Sequence, residues 1–153
     1  MLKIYNIREK TEYLKEVALL THLEWGSKTQ TKKELENKVN KKIEKMINNF
    51  NNPYYCTLIL LYDDNLVGFI SIFEKDGEER QDLKPWYATM YVKKEYRGNG
   101  YSKILNEAIQ KEAKKRDFKR IYLKSDLINY YEKFGAIYLE NLSNGEKLYY
   151  IDL

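Results

Sequence analysis

The chain contains one cysteine and one histidine among its 153 residues. That scarcity excludes an internal disulfide and any zinc site built from Cys and His ligands, so no metal is expected. Cys56 lies in the apolar run Cys56-Thr57-Leu58-Ile59-Leu60-Leu61-Tyr62, the setting of a small buried hydrophobe rather than a nucleophile. There are only two prolines and seven glycines. No linker therefore divides the chain, and one domain over residues 1–153 is expected. No apolar run reaches the length that spans a bilayer, and Met1-Leu2-Lys3-Ile4-Tyr5 lacks a secretory core. Those absences, with the lone thiol, point to a cytoplasmic protein with no membrane partner. A one-sided charge is missing too: 27 basic and 23 acidic residues leave +4. Along residues 32–45 Lys and Glu interleave as on a solvated helix face, so no nucleic-acid partner is expected.

What is present reads as a regular alternation of elements. A hydrophobic share of 43% with 33% charged residues belongs to a globular domain that buries a core. Residues 2–7 read as a strand. Thr11 opens a helix with Leu14, Val17, Ala18 and Thr21 on one face, ending at Trp25-Gly26; His22 on that helix reads as partly exposed. Thr31 and Glu34 form a capping box for a helix that runs to residue 50, where Asn51-Asn52-Pro53 stops it. Residues 56–62 and 66–73 form a hairpin through Asp63-Asp64-Asn65. Strands follow at 86–92, 120–124, 136–142 and 148–152, with helices at 101–116 and 127–134. The fold class is α+β: a mixed, mostly antiparallel sheet of about seven strands flanked by four helices.

The segment Thr89-Met90-Tyr91-Val92-Lys93-Lys94-Glu95-Tyr96-Arg97-Gly98-Asn99-Gly100-Tyr101-Ser102 carries the functional signal. It reads as a strand, a polar connection, a glycine-marked turn and a helix start. Tyr101, Ile104, Leu105 and Ala108 face one way on that helix, with Lys103, Asn106, Glu107 and Lys111 mostly opposite. Glycines leave main-chain N–H groups uncovered, and the first N–H groups of a helix have no internal partner. Together with the helix dipole this makes a phosphate cradle, and Arg97 adds a suitable charge. A dinucleotide fingerprint would need a glycine where Lys103 stands, and a P-loop would need a Gly-Lys pair, which the chain lacks.

Arg97-Gly98-Asn99-Gly100-Tyr101-Ser102 resembles the acetyl-coenzyme A motif of the GNAT N-acetyltransferase superfamily (Arg or Gln, two residues, Gly, one residue, Gly or Ala), with Ser in the last place. About thirty residues later Tyr131-Glu132-Lys133-Phe134-Gly135 resembles the second signature, Tyr-Glu-Lys-x-Gly, followed by Ala136 where the family usually has an aromatic. The resemblance implies a sheet splayed after the central strand that ends at Val92. It implies that Met90, Tyr91 and Val92 hold the pantetheine arm and residues 97–102 hold the pyrophosphate. The implied reaction is direct acetyl transfer from acetyl-CoA, as acyl-donor cosubstrate, to a primary amine of a small molecule or peptide. Positioning supplies most of such a rate, and a main-chain N–H can polarise the thioester carbonyl.

Tyr131 is the candidate proton donor to the leaving thiolate, because a phenol with a pKa near about 10 stays protonated at neutral pH. It is also one of 15 tyrosines, and a packing role is the alternative. Tyr130, four residues before Phe134, reads as the packing residue of the pair. An amine with a pKa near about 10.4 must lose a proton before it attacks. Glu74 is the first candidate base and Glu24 the second, though carboxylates so placed are more often solvated surface groups. Glu24, Trp25 and Trp86 are candidates for the acceptor groove, Trp86 alternatively covering the core edge at Pro85. A non-catalytic CoA-binding module is the alternative function, and a basic adaptor without a cofactor the third. Monomer and homodimer both remain open.

Overall fold

The computed structural model describes all 153 residues. A seven-stranded sheet runs in the order β1-β2-β3-β4-β5-β7-β6. Its strands are β1 (Leu2–Asn6), β2 (Cys56–Tyr62), β3 (Asn65–Phe73), β4 (Trp86–Val92), β5 (Arg120–Ser125), β6 (Ile137–Asn141) and β7 (Lys147–Asp152). Every pairing is antiparallel except that of β4 with β5. The helices are α1 (Leu14–Trp25), α2 (Lys32–Asn48) and α3 (Tyr101–Lys115). The α+β expectation and the splayed sheet both hold.

The central strands are apolar on both sides because helices cover both sheet faces. In β2, Leu58 and Leu60 pack with Leu105, Ile109 and Ala113 of α3. The alternate residues Ile59 and Leu61 pack with Leu14 and Val17 of α1. A period of two thus sends each side chain to an opposite core. Cys56 is buried at the end of this run, and burial pushes its thiol up to about 12.

Two irregularities open the sheet where it matters. Phe69 pairs with Tyr91 and Ser71 with Ala88, so Ile70 alone opposes both Thr89 and Met90. That is a β-bulge in β4, and Thr89 accordingly takes a left-handed φ of 50°. On its other side β4 pairs with β5 only at Trp86 and Tyr122, reinforced by the Tyr122 N–H donating to Pro85 O at 3.1 Å. Beyond that point the two strands part, leaving a wedge between them.

Some local expectations are corrected. Residues 127–134 hold only a 3-10 turn, Tyr131–Phe134, because Asn129 is left-handed at φ 58° and interrupts the helix; Leu127 and Ile128 accordingly lie exposed. Three α-helices flank the sheet instead of four. Thr11 begins a 3-10 turn and does not cap α1. Thr31 does cap α2, accepting from the Glu34 N–H at 3.1 Å, while Glu34 reaches one residue further back, to the Gln30 N–H at 3.0 Å. His22 is buried, with its Nε2 unpartnered, where partial exposure was expected.

Candidate active site

The turn after β4 keeps its donors free. Gly98 and Gly100 have φ of 83° and 77°, values that only glycine adopts readily. A Cβ built on either would meet no atom within 4 Å, so the glycines serve the turn's shape and leave an open outer face. α3 starts at Gly100 with no side-chain cap, and the N–H groups of residues 98–102 donate to no acceptor in the protein. Arg97 Nε donates to Val92 O at 2.9 Å, and its guanidinium lies 5.6 Å from the Tyr91 ring centre. Asn99 Nδ2 donates to Tyr96 O at 2.9 Å. Arg97 and Asn99 therefore brace the turn from behind, and Lys93 ties it to Glu16 of α1 by an ion pair.

These amides open into a cleft of about 440 Å³. Met90, Tyr91, Val92, Arg97, Gly98, Gly100, Tyr101 and Ser102 all line it, so the structure gathers the candidate cofactor residues except Asn99 on one wall. Tyr131 lines the same cleft from the 3-10 turn. Its ring meets Tyr130 edge-on at 4.8 Å and Tyr87 at 5.8 Å. Burial, and next to it the Tyr130 hydroxyl, push the Tyr131 hydroxyl up to about 12. It is fully protonated at neutral pH, as a proton donor must be.

A second cleft of about 560 Å³ adjoins the first, and Glu24, Trp25, Met90, Leu127 and Tyr131 line both. The Thr89 bulge forms part of this second cleft. Trp25 is half exposed and packs edge-on against Tyr91 at 6.3 Å, so it forms a wall shared by the two clefts. Trp86 is different. Its side chain is 1% exposed, donates from Nε1 to Leu83 O at 2.8 Å, and packs with Leu142 and Leu148. It faces the core edge and takes no part in either cleft, which corrects its assignment to the acceptor groove. Glu74 is also displaced from Tyr131. It lines a third cavity, with its Oε1 3.5 Å from Asn52 Nδ2.

Four carboxylates share the second cleft with Tyr131 and Thr89: Glu24, the second candidate base, and Asp76, Asp126 and Glu146, which the sequence does not single out; of these Asp76 also lines the third cavity. Burial raises its pKa, opposed by Lys124, whose Nζ is 4.0 Å away, and aided by Glu146. Asn106 was missed as well, having been read onto the polar face of α3. It is fully buried. Its Oδ1 accepts from the Tyr87 hydroxyl, and its Nδ2 lies 2.9 Å from Ser102 O and 3.1 Å from Met90 Sδ. One side chain thus ties the first turn of α3 to β4 at Tyr87 and Met90, on either side of Thr89. A polar residue at a helical core spacing, three before Ile109, was the available signal.

Solved structures show the same fold. The PaiA N-acetyltransferase from Thermoplasma acidophilum, in complex with coenzyme A, aligns at TM-score 0.68 and 21% identity, covering 100% of this chain and 99% of that one. An aminoglycoside 6'-acetyltransferase type Ii gives 0.68 and 22%, with 98% and 96% covered. A spermidine N-acetyltransferase variant from Vibrio cholerae gives 0.72 and 16%, with 99% and 93% covered. No curated protein matches the sequence. The amide-lined turn, the wedge beside β4 and the match of residues 17–136 to the Acetyltransferase (GNAT) family agree, and the chain belongs to that family.

Proposed function

We propose that the protein transfers an acetyl group from acetyl-CoA to a primary amine, with Tyr131 protonating the leaving thiolate. The observation that carries this reading is the continuity of the two clefts: free main-chain donors at residues 98–102 open the first, and Tyr131 lines both. The residues present suit the donor. Five uncovered N–H groups at a helix start match a pyrophosphate; the open face over Gly98 and Gly100 leaves room for it. Met90 to Val92, unpaired toward β5, offer main-chain groups to an extended amide-bearing arm. Acetyl-CoA supplies a thioester that amines attack readily.

The chain's own groups do the rest. The amide cradle and Trp25 hold the two reactants on either side of the Thr89 bulge, and positioning of that kind dominates such a rate. Tyr131 holds a proton on its hydroxyl, raised to about 12 by burial, and gives it to sulfur. The proton released by the ammonium goes to water or to a carboxylate of the second cleft. Asp76, which lines that cleft, fits the task better than Glu74. The acceptor is a small-molecule or peptide amine, and the protein acts as a monomer or homodimer in the cytoplasm without a metal.

The test pairs melting curves with acetyl-CoA, CoA and desulfo-CoA against a screen of amines for released thiol. Stabilisation by the cofactors with thiol release from some amine is the expected result; stabilisation alone would leave a CoA-binding module. Within the enzyme, Tyr131→Phe should lower kcat about a hundredfold, roughly 2.7 kcal/mol of barrier, with CoA affinity intact. An unchanged kcat would remove Tyr131 from this role.

A further inference from the structure

The third cavity, about 610 Å³ between α1, α2 and β3, has no part in the scheme above. It meets the second cleft at Trp25, Asp76 and Thr89, which line both. Charge is segregated along the joined space. On the β5 and β7 side, Glu24, Asp76, Asp126 and Glu146 face a single cation, Lys124. On the α2 side, Lys42, Lys45 and Lys75 outnumber Glu74 and Asp76, and Asn52 already engages Glu74 at 3.5 Å.

The α2 lysines lack counter-charges. None of the ion pairs in the structure uses Lys42 or Lys45. They are three residues apart and so share a helix face, where like charges repel. Burial, and after it Lys45, lower the pKa of Lys42. A partly buried cation without a partner is what an incoming anion would relieve.

A second, independent observation lies on the sheet wall of the same cavity. The Tyr55 hydroxyl is 2.9 Å from Thr57 Oγ1, which is 2.7 Å from Ser71 Oγ. All three residues are buried. Three hydroxyls make only two hydrogen bonds here, so one O–H proton remains unspent whichever way the chain runs. Tyr55, Thr57 and Ser71 all line the cavity, so the spare proton faces it whichever residue keeps it. Ammonium groups and a spare hydroxyl donor therefore face one space, beyond the bulge where an amine would react.

We propose that this cavity holds an anionic group belonging to the acceptor itself, so that the acceptor is a zwitterionic amine: its ammonium near Asp76 and Thr89, its carboxylate or phosphate on Lys42, Lys45 and the hydroxyl chain. The proposal rests on the amine-acetylation reading. It separates this chain's acceptor from polycations, which would meet like charge on α2.

The test is a series of ω-amino acids from β-alanine to ε-aminocaproate, each compared with its amide and with the diamine of equal length. The best acceptor should be an amino acid with a KM about tenfold below that of its amide, the scale of charge-assisted hydrogen bonds to a carboxylate. In Lys42→Gln/Lys45→Gln that ratio should fall to about one, with the CoA-induced rise in melting temperature retained as proof of folding. A diamine or an amide as best acceptor throughout, or a ratio unmoved in the double variant, would overturn the proposal. Binding is read separately, as stabilisation of CoA-saturated protein by each compound without turnover. Selective stabilisation by an amino acid without thiol release from any amine would sink the enzymatic reading and keep the anion site. Thiol release without anion preference would do the reverse.

Discussion

The cleft under the turn at residues 97–102 and the two cavities beside it meet along β4, at Met90 and Thr89, yet they are built in different ways. The turn offers main-chain amides within one short segment, held by two left-handed glycines and braced by Arg97 and Asn99. The cavities collect side chains from α1, α2, β3, β4 and β5 that lie far apart in the chain. A site made of backbone needs particular backbone conformations, and glycine marks them in the sequence. A site made of side chains needs only that helices pack over a sheet edge, and any polar residue there looks like surface until the packing is known.

The contrast can be broken first at the turn. Gly100→Val puts a β-branched residue at φ 77°, costing about 1–2 kcal/mol of backbone strain and re-aiming the start of α3. The CoA-induced shift in melting temperature should vanish altogether; a full shift would show that the amides are not the cradle. Next come the two tryptophans. Trp86→Ala should lose about 3–5 kcal/mol of stability in urea, as expected for a buried aromatic, with the acceptor KM of the surviving folded protein unchanged. Trp25→Ala, half exposed, should do the opposite: a raised acceptor KM and a nearly unchanged urea midpoint. If the two exchange behaviours, the boundary drawn between core edge and cleft is wrong.

Asn106→Ala sharpens the comparison at the wedge. It leaves the Tyr87 hydroxyl with only its 3.5 Å contact to Met90 Sδ and frees the Ser102 carbonyl, so it should cost about 1–3 kcal/mol and weaken CoA binding as well. A stability loss with CoA affinity untouched would confine Asn106 to the core. The smallest effect is one of pH. Cys56 is raised from 9.0 to about 12, and Tyr55 and Tyr131 from 10.0 to about 12, each chiefly by burial. Between those values the unfolded chain has lost protons that the folded chain keeps, so stability falls as pH rises. In Cys56→Ala the decline should start near pH 10 instead of pH 9. An identical onset in both proteins would show that the thiol is not protected by burial.

Much of this architecture was readable before folding was considered. The seven strands lie close to their expected places because β-branched and apolar runs bounded by Asp63-Asp64 or Ser143-Asn144-Gly145 leave few other readings. The capping box of α2 is present, shifted by one residue at Glu34. The fourth helix was misread because residues 127–134 carry helical spacing, whereas Asn129 adopts a left-handed conformation that spacing does not reveal. Asn106 and His22 were placed toward solvent by residue type alone, and packing buried both. Trp86 and Trp25 are chemically identical in a sequence. Only the partners of Trp86, Leu83, Leu142 and Leu148, separate them.

The sequence by itself determined the order of the strands and the glycine turn, since each depends on conformational preferences and spacings within a few residues. The tertiary structure alone decided which carboxylates line a cleft with Tyr131, which tryptophan stays in the cleft, and that Lys42 and Lys45 share a cavity with Ser71. Those are distances between segments tens of residues apart, and only the pairing of strands and the burial of both sheet faces bring them together.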